Sequence, residues 1–327
     1  MTGDTPLIEV CNLAKRFGDV IAIDSINLIV RQGELFGFLG PNGAGKTTTI
    51  NLITGLSRPD SGTIGIAGLD CTKNTKAAQH LMGIVPDESN LYPELSGFDN
   101  LCFCASLYGM HRIDRETRAR ELLETFGLKE AAARKFGGYS KGMKRKLTIA
   151  AGIIHRPQVL FLDEPTSGID VASARQIRQL ISQLHHAGTT VFLTTHYIEE
   201  AERLCERIAF IVKGKIVETD TVENLLQPVR ETKEMLLSVS SSANDLYSKL
   251  ATAFPHFKFH TVSPEQVRIE SASTISIGPL VQFIESQGAE VTEALRLRVS
   301  LEDVFVRVTG IELDAIRKEK EKAGGNL

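Results

Sequence analysis

An α/β protein built on a largely parallel sheet, with a helical insertion and a smaller α+β domain behind it, is the fold that this 327-residue sequence predicts. Three observations carry the prediction. Over roughly the first 225 residues, short β-branched runs alternate with helix-forming stretches, the pattern of strands joined by crossover helices. Two of those runs, residues 158–162 and 189–194, are almost wholly apolar or β-branched, as strands buried on both faces of a parallel sheet are. After Pro228 the hydrophobic pattern restarts in the order strand, helix, strand, strand, helix, strand.

Taken in order, residues 7–13 and 26–30 read as strands that fold back on each other at Gly18-Asp19 as an antiparallel hairpin. Residues 34–40 form a strand that runs into a Gly-rich turn, and 47–55 a helix closed by Gly55. Residues 95–155 are rich in helix formers with almost no strand signal, which marks a helical subdomain. Residues 171–186 have helical periodicity and stop before Gly188. In the second part, strands are expected over 234–240, 256–262, 266–270 and 290–299, and helices over 244–254, 274–287 and 301–309. The aromatic and basic residues between Phe254 and His260 alternate with a period of two and are read as core packing of a strand. The domain limits are therefore 1–228 and 229–310, followed by a charged tail over 311–327.

Composition excludes several classes. With 42% apolar and 24% charged residues the chain is neither disordered nor fibrous, and a net charge of -3 provides no overall field toward nucleic acid. The longest apolar runs fall short of the roughly 20 residues a membrane-spanning helix needs. The first six residues lack the basic and apolar regions of a signal peptide, so a cytoplasmic location is expected. Five scattered cysteines fit reduced core thiols, and Cys102-Phe103-Cys104 has no second pair at a zinc-like spacing.

Gly40-Pro41-Asn42-Gly43-Ala44-Gly45-Lys46-Thr47 fits G-x-x-x-x-G-K-[ST] between an apolar strand and a helix, followed by Thr48. Its glycines let successive N–H groups turn inward onto phosphate oxygens, and the helix N-terminus adds partial positive charge. Lys46 would reach the β and γ phosphates, and the Thr47 hydroxyl suits Mg²⁺, which prefers hard oxygen ligands. Val159-Leu160-Phe161-Leu162-Asp163-Glu164 places an acid at the end of a buried strand: Asp163 for the metal, Glu164 as general base toward the attacking water.

With further motifs in fixed order, the chain resembles the ATP-binding cassette (ABC) ATPases, P-loop NTPases that bind ATP and Mg²⁺. Gly83 to Glu88 resembles the segment carrying the family's Q-loop, Tyr139-Ser140-Lys141-Gly142-Met143 its signature motif, Ser167-Gly168-Ile169-Asp170 its D-loop and Thr194-Thr195-His196 its switch. Phe17, in Lys15-Arg16-Phe17-Gly18, stands where the family stacks an aromatic ring on adenine. The resemblance spans about residues 7–226. It implies that His196 contacts the γ-phosphate and that two nucleotide-binding domains meet head to tail. Each ATP then lies between one chain's loop and the partner's Ser140, Lys141, Gly142 and Met143, with Asp170 in the D-loop beside them. One Walker A and one signature per chain require a second such domain, with a homodimer expected ahead of a heterodimer. Ser140 can cap the helix beginning near Lys141 and turn its free N–H groups to the phosphate, while Gly142 lets the backbone come close.

Two departures stand out. Asp87 replaces the usual Gln, which leaves open whether it is a metal ligand, a water positioner or a link to the membrane partner. Lys141 and Met143 replace Gly and Gln; Lys141 places a cation by the incoming γ-phosphate and is expected to strengthen ATP-dependent dimerisation. The form Tyr-Ser-Lys-Gly-Met together with Ser300-Leu301-Glu302-Asp303-Val304-Phe305 resembles the drug-type two-component exporters. In these the permease is a separate membrane chain, the ATPase sits on the inner face of the membrane, and no nucleic acid is expected. The small C-terminal domain could brace the dimer, sense a ligand or extend the interface. A soluble ABC ATPase acting on DNA or the ribosome is the competing class, but no coiled-coil or zinc insertion and no second cassette is visible; a GTPase would need an N-K-x-D motif, which is missing.

Overall fold

The computed structural model describes residues 5–230, 233–240, 243–297 and 300–311. The charged tail from residue 312 onward and the last two residues of the strand expected over 290–299 lie outside them. The described chain divides into two compact units, one reaching to Thr221 and the other spanning Val222–Ile311.

The strands of the first unit are β1 (Pro6–Phe17), β2 (Val20–Arg31), β3 (Leu35–Leu39), β4 (Ser61–Ile66), β5 (Leu69–Asp70), β6 (Met82–Val85), β7 (Val159–Asp163), β8 (Thr190–Thr195), β9 (Arg207–Val212) and β10 (Lys215–Thr221). Its helices are α1 (Lys46–Ile53), α2 (Thr75–Gln79), α3 (Gly97–Leu107), α4 (Arg112–Thr125), α5 (Lys141–Gly152), α6 (Val171–His186) and α7 (Ile198–Leu204). Two sheets result. One is antiparallel in the order β2-β1-β4-β5, begun by the hairpin at Gly18-Asp19, where Gly18 takes φ 58°. The other has the order β10-β9-β3-β8-β7-β6 and is parallel except for its edge strand β10.

Burial explains the split. Along β1 exposed residues interrupt the buried ones, because one face carries the core and the other does not, whereas every residue of β3, β7 and β8 is buried. At the centre, the Phe192 ring lies 5.7 Å from Phe36, 5.6 Å from Phe38 and 5.5 Å from Phe161, so three adjacent strands share one aromatic contact. Helices α3, α4 and α5 occupy the stretch expected to be a helical subdomain. Strands β4, β5, β6, β9 and β10 go beyond the sequence expectation: β4 contains two glycines, and β5 and β6 are only 2 and 4 residues long, too short for a periodicity to register.

The second unit contains α8 (Val222–Arg230), β11 (Lys233–Val239), α9 (Ala243–Ala253), β12 (Lys258–Ser263), β13 (Gln266–Ser271), α10 (Ile277–Ser286), β14 (Val291–Leu297) and α11 (Leu301–Thr309). The sequence pattern puts a break at Pro228, but α8 runs through that position and packs on α11, with Leu225 and Leu226 buried. A proline this close to a helix end removes a single backbone donor, so the helix continues to its last turn. The order β12-β13-β11-β14, antiparallel throughout, is the split β-α-β-β-α-β arrangement. Met235, Leu237, Phe259, Val267 and Ile269 pack with Leu246, Leu250, Leu280 and Ile284 as its core, and Phe254 and Phe257 pack against it. Ser300 and Asp303 form a capping box that starts α11. Among the described residues no helix is long and apolar enough to cross a membrane.

Removing the central ring tests this account. Phe192→Ala should destabilise the chain by about 3–5 kcal/mol, read from urea unfolding followed by circular dichroism; a loss under about 1 kcal/mol would show that the three strands do not depend on that contact.

Candidate functional site

Parallel register determines where chemistry can occur. Leu39 of β3 lies beside Thr195 of β8, and Thr194 of β8 beside Asp163 of β7. Gly40, His196 and Glu164, each one residue past these positions, therefore leave the sheet together at its carboxyl edge, where open α/β sheets bind ligands.

The loop from β3 to α1 can take its path only with glycine at two points. A Cβ on Gly40 would lie 2.2 Å from the Ile211 carbonyl oxygen, and one on Gly45 would lie 2.7 Å from that of Ala22, with Gly45 also at φ 110°. Ala44 is buried, Pro41 and Thr48 are half-buried, and Asn42, Gly43 and Thr47 are exposed. Gly45 caps α1 without a side-chain hydrogen bond, so the first-turn N–H groups and the helix dipole face outward together as an anion site.

Lys46 is only 6% exposed. Its Nζ donates to the carbonyl oxygens of Gly40 (2.8 Å) and Pro41 (3.2 Å), which hold the loop closed, and lies 3.2 Å from Glu164 Oε1. The other carboxylate oxygen, Oε2, is 2.7 Å from His196 Nδ1 and accepts from the His196 N–H at 3.3 Å. Burial pushes the Glu164 carboxyl pKa up, but the His196 hydrogen bond and the Lys46 charge outweigh it and hold the group below the ordinary glutamate value. Glu164 is thus an ionised, buried carboxylate between two donors, and its backbone sits at φ 48°, in the left-handed region.

Beside it, Asp163 Oδ2 accepts from Thr47 Oγ1 at 2.8 Å and Oδ1 accepts from Thr194 Oγ1 at 2.5 Å. A hydroxyl and a carboxylate side by side at a phosphate loop are the hard-oxygen donors that Mg²⁺ takes when phosphates and water complete its shell, so these residues fit the ion. Asp87 Oδ1 lies 3.2 Å from Nη2 of Arg145, and its side chain is 53% exposed. Burial raises the Asp87 carboxyl pKa, the Arg145 charge opposes the rise, and the nearby Glu164 and Asp163 charges add to it. Among the described residues no group of three or more His, Cys, Asp or Glu could hold a metal ion.

The signature residues form a second cluster. Ser140 caps α5 by accepting from the Met143 N–H at 3.2 Å, and Ser140 and Lys141 are exposed. A Cβ on Gly142 would lie 2.4 Å from Ser173 Oγ, so α5 rests directly on the start of α6, which Asp170 caps by accepting from the Ser173 N–H at 2.9 Å. That bond, with further donors from Ser173, holds the Asp170 carboxyl below its ordinary pKa. Among the described residues no hydrogen bond or ion pair joins Ser140, Lys141, Gly142 or Met143 to the Lys46–Glu164–His196 cluster. Phe17 is 54% exposed at the hairpin end, with Lys15 Nζ over its ring at 5.3 Å; β2 starts beside it at Val20 and passes Gly45 at Ala22 and Ile23.

Sequence reasoning did not single out three contacts: Thr194 on Asp163, Arg145 on the Asp87 segment, and Glu200. Thr194 carried a signal, as a hydroxyl at the end of a buried strand next to the acid. Glu200 is 3% exposed, and its Oε1 accepts from Thr166 Oγ1 at 2.8 Å, tying α7 to the stretch that leads into Asp170. Nothing in its local sequence distinguishes it from the exposed Glu199.

A glycine-rich phosphate loop at the end of one parallel strand, a Lys inside it and an Asp-Glu pair two strands over, across β8, define a P-loop nucleoside triphosphatase with a helical insertion, the ATP-binding cassette class. The family profile described as ABC transporter matches residues 23–167. The chain is 36% identical, over 93% of its length and 98% of the relative's, to the linearmycin resistance ATP-binding protein LnrL of Bacillus subtilis. It is 33% identical, over 94% and 95%, to the doxorubicin resistance ATP-binding protein DrrA of Mycobacterium tuberculosis. A dimeric, post-hydrolysis structure of the ATP-binding cassette MJ0796 bound to ADP and phosphate superposes with a TM-score of 0.61 at 27% identity, covering 66% of this chain and 98% of that one. The chain belongs to the ABC transporter family, as an ATP-binding and ATP-hydrolysing subunit of the exporter kind.

Burial raises the Glu200 carboxyl above the ordinary value of 4.5, with the Thr166 hydrogen bond opposing the rise. The folded chain therefore keeps this proton where the unfolded chain has lost it, and stability falls as pH rises from 4.5 through the raised pKa. Glu200→Gln, which cannot ionise, should lack that decline; equal slopes of melting temperature against pH in both proteins would refute it.

Proposed function

We propose that this chain works as one half of a nucleotide-binding dimer, hydrolysing ATP at sites shared between two chains and driving a separate membrane permease. The observation that carries the reading is the trio formed by Lys46, at the start of α1, with Glu164 and His196, which follow the adjacent parallel strands β7 and β8. The α1 N-terminus and Lys46 bind the phosphates, Phe17 takes the adenine face, and Gly40 to Thr48 wrap the triphosphate. Thr47 and Asp163 would hold Mg²⁺, whose charge would offset that developing on the phosphoryl oxygens. Ser140, Lys141, Gly142 and Met143 bind the γ-phosphate held by the partner chain, with Asp170 at the seam, which is why they stand apart from the cluster of their own chain.

The chemistry follows from charge. Ionised Glu164 accepts the proton of a water attacking the γ-phosphorus, the bond to the bridging oxygen breaks, and ADP and phosphate result. His196 orients Glu164 through Nδ1, and the family resemblance supports its contact with the γ-phosphate. Loss of the γ-phosphate removes what the two chains share, so the dimer loosens, a population shift driven by differential affinity. The permease fixes the chain to the inner face of the membrane. LnrL and DrrA are named for resistance to linearmycin and doxorubicin; export of a drug or antibiotic is the cargo class we propose here.

Two substitutions separate binding from chemistry. Glu164→Gln should lower kcat by about a hundredfold to ten-thousandfold while ATP still binds and the dimer persists; turnover at the original rate would remove Glu164 from the mechanism. Lys46→Ala should abolish ATP binding in equilibrium titration, and unchanged affinity would remove Lys46 from the phosphate site.

A further inference from the structure

Arg145 is 7% exposed and lies on α5, five residues after Ser140. Its guanidinium donates through Nη1 to the Pro86 carbonyl oxygen at 2.6 Å. Through Nη2 it donates to the Asp87 carbonyl oxygen at 2.5 Å, to Asp87 Oδ1 at 3.2 Å and to the Glu164 carbonyl oxygen at 3.4 Å. One side chain thus joins three parts of the chain: the helix that begins at Ser140, the segment leaving β6 and the turn leaving β7. Burial pushes its pKa down, but the Asp87 carboxylate opposes that and keeps the charge matched.

Glu164 needs such a tether. A non-glycine residue at φ 48° persists only where its surroundings over-determine it. Its N–H donates to the Thr194 carbonyl oxygen at 3.1 Å, Lys46 and His196 hold its carboxylate, and Arg145 reaches its carbonyl. Helix α5 also packs closely on β6, where a Cβ on Gly83 would lie 2.2 Å from the Gly152 carbonyl oxygen. Arg145 is thus a direct hydrogen-bonded link from α5 to the Glu164 backbone.

We infer that Arg145 is a positioning residue for ATP hydrolysis. It fastens the Pro86–Asp87 segment and the Glu164 backbone to α5, so that the carboxylate of one site answers to the helix whose first turn serves the other. The inference rests on Glu164 acting as the base. It also gives Asp87 a role that departs from metal binding, as the counter-charge that lets a buried guanidinium sit there.

Three variants of the full-length chain test it, with kcat, KM and the dissociation constant of ATP measured for each. Arg145→Lys keeps the charge, but a single ammonium cannot span all four acceptors; Arg145→Gln keeps planar N–H donors without the charge and serves if the Lys variant does not fold. For either, kcat should fall about tenfold to a hundredfold while ATP affinity stays within about threefold. A folded variant with kcat within about twofold of the parent, beside an inactive Glu164→Gln, overturns the inference and leaves the base assignment standing. A variant that loses ATP affinity and keeps kcat overturns it too, since Arg145 would then serve binding. Turnover surviving in Glu164→Gln brings down the base assignment, and the inference with it.

Discussion

Everything at the site depends on the in-register parallel pairing of β3, β8 and β7. Because Leu39 faces Thr195 and Thr194 faces Asp163, the three strands end together, and the residues that follow them share one edge. A slip of one residue in any pair would turn Asp163 away from Thr47 or His196 away from Glu164, since successive strand side chains point to opposite faces. The register is held by what the strands bury. Phe36, Phe38, Phe161 and Phe192 interlock across the three of them, and a shift would unseat all four rings.

On this frame, charge is balanced locally. Lys46, His196 and Glu164 are all nearly buried, which would be costly singly, yet each provides a partner for another. The same logic recurs in Arg145, whose donors are met by three carbonyls and the Asp87 carboxylate. Glu200 is the contrasting case: burial raises its pKa, and the Thr166 hydrogen bond and the Arg178 charge only partly offset the rise. An acid that must stay ionised is given cations, and an acid that only links two segments is left with its pKa raised by burial.

Close approach is the other recurring device. Gly40, Gly45, Gly83 and Gly142 each stand where a Cβ would meet another segment at 2.7 Å or less. They bring the phosphate loop against β2 and the strand that ends at Val212, and they bring α5 against β6 and α6. Such contacts make α5 a stiff connection between the Ser140 end and the Glu164 turn.

Much of this was legible in the sequence. The phosphate loop, the Asp163-Glu164 pair, the cap at Ser140 and the strand and helix order from β11 to α11 follow from local pattern, because turns, caps and buried strands are chosen by residues near each other in the chain, whereas His196 and Asp170 were marked by the family resemblance and α8 was not expected. Short or Gly-containing strands such as β4 and β6 escaped, since too few residues carry the period. The partner of Asp87 could not be read at all: Arg145 lies 58 residues away and only packing of α5 on β6 brings them together. The sequence by itself determined which groups are present and which local shapes they favour. Tertiary structure alone decided which acid meets Thr47, which meets a guanidinium and which meets only a hydroxyl, because long-range pairing depends on where strands end and how closely helices approach.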